Sequence, residues 1–521
     1  MNRRIALVPV DARPVTRDLP GEIAKIGGWE VLVPPKDILG FLKTPGNMQK
    51  VSEWLGSVAQ QVDGFVISTD MLCYGGLVPS RISLDSYEVL NNRLKSLKDL
   101  KEKFPEKPVM AFSATMRISN NYVSEEEKPY WSEYGKEIYA YSFHYHRYEK
   151  KEAEEALHAI REMEKTIPTH ILKDYKETRE KNFRINLALL QGVEEGWLDR
   201  LVFPQDDTSE YGLNILEQEK LSMEVLQKGL FEKVAIYPGA DEVANSLLSR
   251  MIFELEGLEK PIFYPFFSGE RGALVNALYE DRPIVESVKG QVYAFGSFIE
   301  VVASEADVLL AVNVPGKRQG DLAMQFQLGE VNTSDRNIGE WVHRIKHYLK
   351  KGHLVAVADV AYANGADPAM VPQLLASMDI QNLSGFAAWN TAGNTIGTVV
   401  AQAAMAHLAR KKGLVTTSVK ENQLVYRLLE DYVYQTIVRQ QVRKEVNDDA
   451  PDLLERVKEK FIKETSLFLN KLLKEADYEG VVDQVFLPWN RTFEVGFELE
   501  LKKRVKREFL QEADESVDQT S

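Results

Sequence analysis

"RLVFPQDDTSEYG", residues 200–212, is the stretch from which the fold can be read. The apolar run 201–203 is short and Pro204 closes it, which reads as a buried strand rather than a helix. Asp is disfavoured inside strands, so Asp206 and Asp207 fall at or just past the strand's C-terminal end. Adjacent carboxylates repel, and something must favour placing them together. One account is a helix start, with Asp207 or Thr208 as N-cap and Glu210 completing a capping box. The other is an acid pair held at the end of a buried strand.

The same texture recurs along the chain. Short apolar runs lie at 5–10, 64–70, 109–116, 234–241, 262–267, 308–316, 354–360 and 385–390, with a weaker one at 29–35. Amphipathic helical stretches separate them. Strands alternating with helices predict βα units and a mainly parallel sheet. The expected fold class is α/β, either a (β/α)8-like barrel, modestly favoured, or a doubly wound parallel sheet, followed by a C-terminal helical region. The expected boundaries are an α/β catalytic region over 1–400, a helical region over 401–484, an extended segment over 485–510 packing on the core, and a disordered acidic tail over 511–521. Within the first region, 117–198 reads as a largely helical insertion and 258–300 as an excursion that breaks a barrel's regularity.

Composition narrows the function. The chain has 521 residues, 44% hydrophobic and 27% charged, with a net charge of −14. That charge argues against a nucleic-acid partner, which needs a basic face to replace phosphate counterions. Cys73 is the only cysteine, so neither an intrachain disulfide nor a thiolate metal cluster is available. No run approaches the roughly 18 apolar residues of a membrane span, and the first apolar run is too short for a signal sequence. A cytoplasmic protein with no membrane partner is the simplest expectation, and a homo-oligomer is compatible with the C-terminal helices.

Polar residues collect where the candidate strands end. The expected substrate-binding set is Asp11 and Arg13, Asp70 and Arg81, Arg117, Asp241 and Glu242, Asp359, Trp389, Asn390 and Asn394, and Trp489 with Asn490. In parallel α/β folds the C-terminal strand ends face one site. Each residue alone is equally a cap or turn former. Together, carboxylates and amides suit hydroxyl groups and an aromatic face suits a sugar ring. No phosphate loop, dinucleotide fingerprint or GxSxG elbow is present. His144 and His146 would share a face, and so suit a metal, only on a strand. No cofactor or metal is expected.

"ALVPVDARPV" (6–15), "STDMLCYGGLVPSR" (68–81), "GADEVANSLLSR" (239–250) and "AAWNTAGNTIGT" (387–398) together resemble a bacterial family of unknown function, DUF4127, over roughly residues 1–500. That resemblance implies no activity. The "QDD" at 205–207 is similar to the acid pair of substrate-assisted N-acetylhexosaminidases, in which one acid orients the 2-acetamido group and its neighbour protonates the leaving oxygen. The leading expectation is therefore a glycoside hydrolase acting on a small carbohydrate or oligosaccharide, with Asp206 and Asp207 as the catalytic pair. The alternatives are a metal-dependent hydrolase or lyase with an Asp-rich Mg²⁺, Mn²⁺ or Ca²⁺ site, and a non-catalytic carbohydrate-binding protein.

Overall fold

The apolar run at 201–203 lies inside a fully parallel sheet, where both faces are covered and the strand is apolar throughout. The computed structural model describes residues 3–151, 154–472 and 478–503. The expected tail, 511–521, and residues 504–510 of the expected extended segment lie outside the described residues.

Strands β1 (Arg4–Val8), β2 (Glu30–Leu32), β3 (Gly64–Ser68), β4 (Val109–Phe112), β5 (Arg200–Gln205) and β6 (Val234–Pro238) form one sheet in the order 2-1-3-4-5-6. All five pairings in it are parallel. β7 (Phe263–Phe267), β8 (Val308–Asn313), β9 (Gly320–Asp321), β10 (Leu354–Asp359), β11 (Tyr362–Ala363) and β12 (Gly385–Ala387) follow. β7, β8, β10 and β12 form a second parallel sheet in the order 12-10-8-7, and β9 pairs with β11. β13 (Tyr478–Phe486) and β14 (Gly496–Lys503) make an antiparallel hairpin.

The expectation of a barrel does not hold: among the described residues the long parallel strands form two open sheets and no closed barrel. The physical reason lies in the helix Ala392–Lys412, whose residues are buried continuously from Ala392 to Ala409. A helix apolar on every side needs apolar partners on every side. It packs on β8, β10 and β12 on one side and on the helices Leu19–Ile26, Val243–Glu256 and Ile284–Phe295 on the others. One continuous core joins these helices to Ile5, Leu7, Val66 and Met110 of the first sheet and to Leu310, Val312, Ala356 and Ala358 of the second. A layer of helices thus separates the sheets, and that is incompatible with closing them into one barrel. The stretch 258–300 supplies β7 and one of those middle-layer helices.

The outer face of the first sheet is covered by helices that include Met48–Val58, Tyr87–Lys103 and Thr169–Glu195. The outer face of the second is covered by Ile338–Lys350 and Met370–Ser377. Among the described residues, 117–198 carries the helices Trp131–Glu149, Glu154–Thr166 and Thr169–Glu195. After the buried helix, Thr417–Arg427 runs into a π-helical stretch, Leu428–Val438, and then into Arg439–Arg443. These pack with Leu453–Leu472 and the β13–β14 hairpin around a separate core. Among the described residues no helix is long and apolar enough to cross a membrane.

Candidate active site at the strand ends

In the first sheet the strand order reverses direction between β1 and β3, and crevices outside the C-terminal strand ends at such points are where α/β folds bind ligands. Here that crevice is a cleft of about 360 Å³. The chain after β1 contributes Arg13, the second helix after β3, Leu77–Ile82, contributes Arg81, and the loop after β4 contributes Arg117. β5 ends in it with Gln205, Asp206 and Asp207, and β6 delivers Gly239, Ala240 and Asp241. From the second half of the chain come Tyr279, Glu280, Asn364, Asn390 and Asn394.

The two aspartates do not cap a helix. The next helix begins at Leu213 with Gly212 as its N-cap. Asp206 instead accepts from Arg81 Nη2 at 2.7 Å. Asp207 accepts from Arg117 Nη1 at 3.1 Å. Its side chain is 27% exposed, so a ligand can reach it. Burial, followed by the charge of Asp206, pushes the Asp207 carboxyl up to about 7, against the opposing pull of Arg117 and Arg81. Across the cleft, Asp241 receives both terminal nitrogens of Arg13, at 2.6 and 3.2 Å, and Asn390 Nδ2 at 3.1 Å. Burial raises it to about 6.

Four lining residues that are not glycine hold a positive φ: Asp207 (44°), Tyr279 (67°), Asn364 (60°) and Asn390 (53°). Each such conformation costs on the order of 1 kcal/mol and persists only where surroundings enforce it, a pattern that gathers at functional sites. Asn394 Oδ1 accepts from the backbone N–H of Asp241 at 3.1 Å, which ties the end of β6 to the start of the buried helix.

The cleft brings together Arg13, Arg81, Arg117, Asp206, Asp207, Asp241, Asn390, Asn394 and Trp489 of the expected set. Trp489 offers no free stacking face of the kind expected; it is 5% exposed and packs against the guanidinium groups of Arg13 at 4.3 Å and Arg491 at 4.8 Å. Other expected residues stand outside the lining. Asp11 sits behind Arg13, accepting from its Nη2 at 2.7 Å and from Thr16 Oγ1 at 2.6 Å. Asp70 is buried and accepts from the Ala114 N–H at 2.9 Å. Glu242 points between middle-layer helices and accepts from Gln291 Nε2 at 2.7 Å. Asp359 ends β10 of the second sheet, where it accepts from Asn313 Nδ2 and the Asp367 N–H. Trp389 is a core residue whose indole N–H donates to Thr398 Oγ1. Asn490 is exposed beside the site.

His144 and His146 lie on the helix Trp131–Glu149, not on a strand, so i, i+2 spacing turns their rings apart. The aspartates that an oxygen-rich metal site would draw on, Asp11, Asp70, Asp206, Asp207 and Asp359, are dispersed, since Asp11, Asp70 and Asp359 are engaged outside the cleft lining. Among the described residues no group of three or more His, Cys, Asp or Glu side chains is arranged to hold a metal ion.

Several lining residues escaped the sequence reading: Glu125, Glu126, Glu280, Arg439, Arg443, Arg491 and Phe493. The acidic run at 125–127 and the arginines of the C-terminal helices have the look of solvated faces. Glu126 instead accepts from Arg81 at 3.0 Å and Arg491 at 2.6 Å and pairs with Arg117 at 3.2 Å. Its carboxyl is held well below the usual range by those cations, which outweigh its burial. The segment between β13 and β14 inserts Trp489, Arg491, Phe493 and the buried Glu494, which accepts from Arg13 at 2.9 Å.

A family model described as a protein of unknown function (DUF4127) matches residues 5–498, and the chain belongs to that family. No curated protein matches it.

Proposed function

We propose that the chain is a glycoside hydrolase acting on a small carbohydrate or oligosaccharide, with Asp207 as the proton donor and Asp206 as its partner acid. One observation carries this reading: a carboxyl raised to about 7 sits beside a second, arginine-held carboxylate in a polar cleft. A carboxylic acid protonated near neutrality can donate to a leaving glycosidic oxygen. The C–O bond then breaks, the proton goes to the departing oxygen, and water completes the cleavage at the anomeric carbon. In this reading Asp206 stabilises positive charge at that carbon or, on an amino sugar, orients a 2-acetamido group that attacks it; such substrate assistance departs from the usual two-carboxylate spacing. Asp241, Asn390 and Asn394 supply hydroxyl-binding groups opposite. A cytoplasmic setting belongs to the same reading.

The test is a panel of aryl glycosides and amino-sugar oligosaccharides. Cleavage of at least one, lost in Asp207→Asn, is the expected result. If nothing is cleaved, or if Asp206→Asn and Asp207→Asn both keep full activity, the proposal fails.

A further inference from the structure

Six arginines line the cleft: Arg13, Arg81, Arg117, Arg439, Arg443 and Arg491. Four are matched by carboxylates. Arg13 pairs with Asp11, Asp241 and Glu494, Arg81 with Asp206 and Glu126, Arg117 with Asp207 and Glu126, and Arg491 with Glu125 and Glu126. The remaining lining carboxylate, Glu280, is taken by the Gly393 N–H and the Ser287 hydroxyl. Among the described residues, no carboxylate pairs with Arg439 or Arg443.

Arg439 is 4% exposed, so its charge is drawn almost wholly out of water. Its Nη1 donates to Gln435 Oε1 at 2.8 Å, its guanidinium packs over Phe493 at 5.1 Å, and its Nε has no acceptor. Arg443, one turn on and exposed at the cleft, donates to the Ala323 carbonyl and repels Arg439. The acidic groups whose charge reaches Arg439, Asp321 and Glu494, are committed by hydrogen bonds elsewhere. Asp321 accepts from Tyr279, Asn364 and Met324, and Glu494 accepts from Arg13. Burial accordingly lowers Arg439 to about 10. A buried cation without a counter-ion is strongly unfavourable. The π-helical stretch Leu428–Val438 that leads into Arg439 is itself a rare feature, frequent at functional sites.

We propose that Arg439 and Arg443 form an anion subsite that takes an oxyanion group, a carboxylate or a sulfate, carried by the substrate sugar. The group's being on a sugar rests on the glycosidase reading, whereas the subsite itself rests on the uncompensated cations.

Calorimetric titration of the full chain tests it. The probes are glucuronic and galacturonic acids, each against its methyl ester, and glucose 6-sulfate against glucose. At least one charged sugar is expected to bind tenfold or more tighter than its uncharged partner. Arg439→Gln and Arg443→Gln should each cut that preference to under threefold. Which charged probe wins separates carboxylate from sulfate. Arg443 is exposed, so its variant carries the test if Arg439→Gln does not fold by circular dichroism. Charged sugars that bind no tighter than their partners, or that do not bind at all, overturn the proposal. So does a preference that survives in both variants. Binding is read without turnover. An anion preference with no hydrolysis of any glycoside overturns only the glycosidase reading. Hydrolysis with no anion preference overturns only the subsite.

Discussion

The chemistry proposed for the cleft turns on one proton. Asp207 is raised to about 7, so it carries that proton below neutrality and loses it above. Activity that needs Asp207 as a general acid should therefore be full on the acid side and fall about tenfold per pH unit above pH 7. Asp207→Asn should lower kcat by roughly 10²–10⁴-fold and abolish that alkaline limb, with the pH–rate profile as the readout. Asp206→Asn gives a signed companion. Removing the Asp206 charge takes away a contribution that raises Asp207, and leaves Arg81 without its Asp206 partner while Arg81 still favours the ionised form. The alkaline limb of Asp206→Asn should move to lower pH. A limb that stays in place, or moves up, is incompatible with electrostatic coupling between the two.

Among the elements, the buried helix Ala392–Lys412 links both sheets to the site. Gly393 lies where its Cβ would stand 2.7 Å from the Pro238 carbonyl oxygen, at the end of β6. Gly393→Ala should push the helix start off β6 and cost about 1–3 kcal/mol in denaturant unfolding. It should also raise KM, because Asn394 and Glu280 are positioned through that contact. Glu242 tests the same layer by pH. Burial raises its carboxyl to about 8. An acid raised on folding leaves its stability fully present below its unfolded value and withdraws it as pH rises through the folded value. Glu242→Gln should therefore melt a few degrees above the parent at pH 9 and show little of that advantage at pH 5. This helix also explains where the sequence misled. "TVVAQAAMAHLAR" is legibly helical and apolar, and its all-round burial is the clue to two sheets with helices between them. A barrel strand and a strand of a doubly wound sheet are equally apolar, so the runs alone carry no information on closure. The acids and amides at the strand ends were legible because parallel topology forces those ends to one side. Arg439, Arg491 and Glu126 were not, because they sit in helical or charged stretches whose composition matches a solvated surface.

At the scale of the molecule, the cleft is where three distant parts of the chain are joined by charge. The ion pairs run from Asp241 through Arg13 to Glu494 of the C-terminal segment, and from Arg491 through Glu126 of the insertion to Arg81, Asp206, Arg117 and Asp207. Glu126 is held by three arginines, so its loss would leave several buried cations short of a partner. Arg491 is the member that spans the insertion and the C-terminal segment, and its side chain is 8% exposed. Breaking a buried pair on one side leaves the other charge desolvated, typically at about 3–5 kcal/mol. Arg81 and Arg117 still hold Glu126, so the loss here should fall at or below the lower end of that range. Arg491→Ala should leave the two sheets folded, because their cores do not include this segment. Its effect should appear as faster amide hydrogen exchange in both 120–128 and 487–495, with the β1, β3 and β5 amides unchanged, and as a rise in KM rather than a loss of kcat. Faster exchange in 487–495 alone would mean that the insertion is held by its own packing and that the charge chain does not couple the two segments.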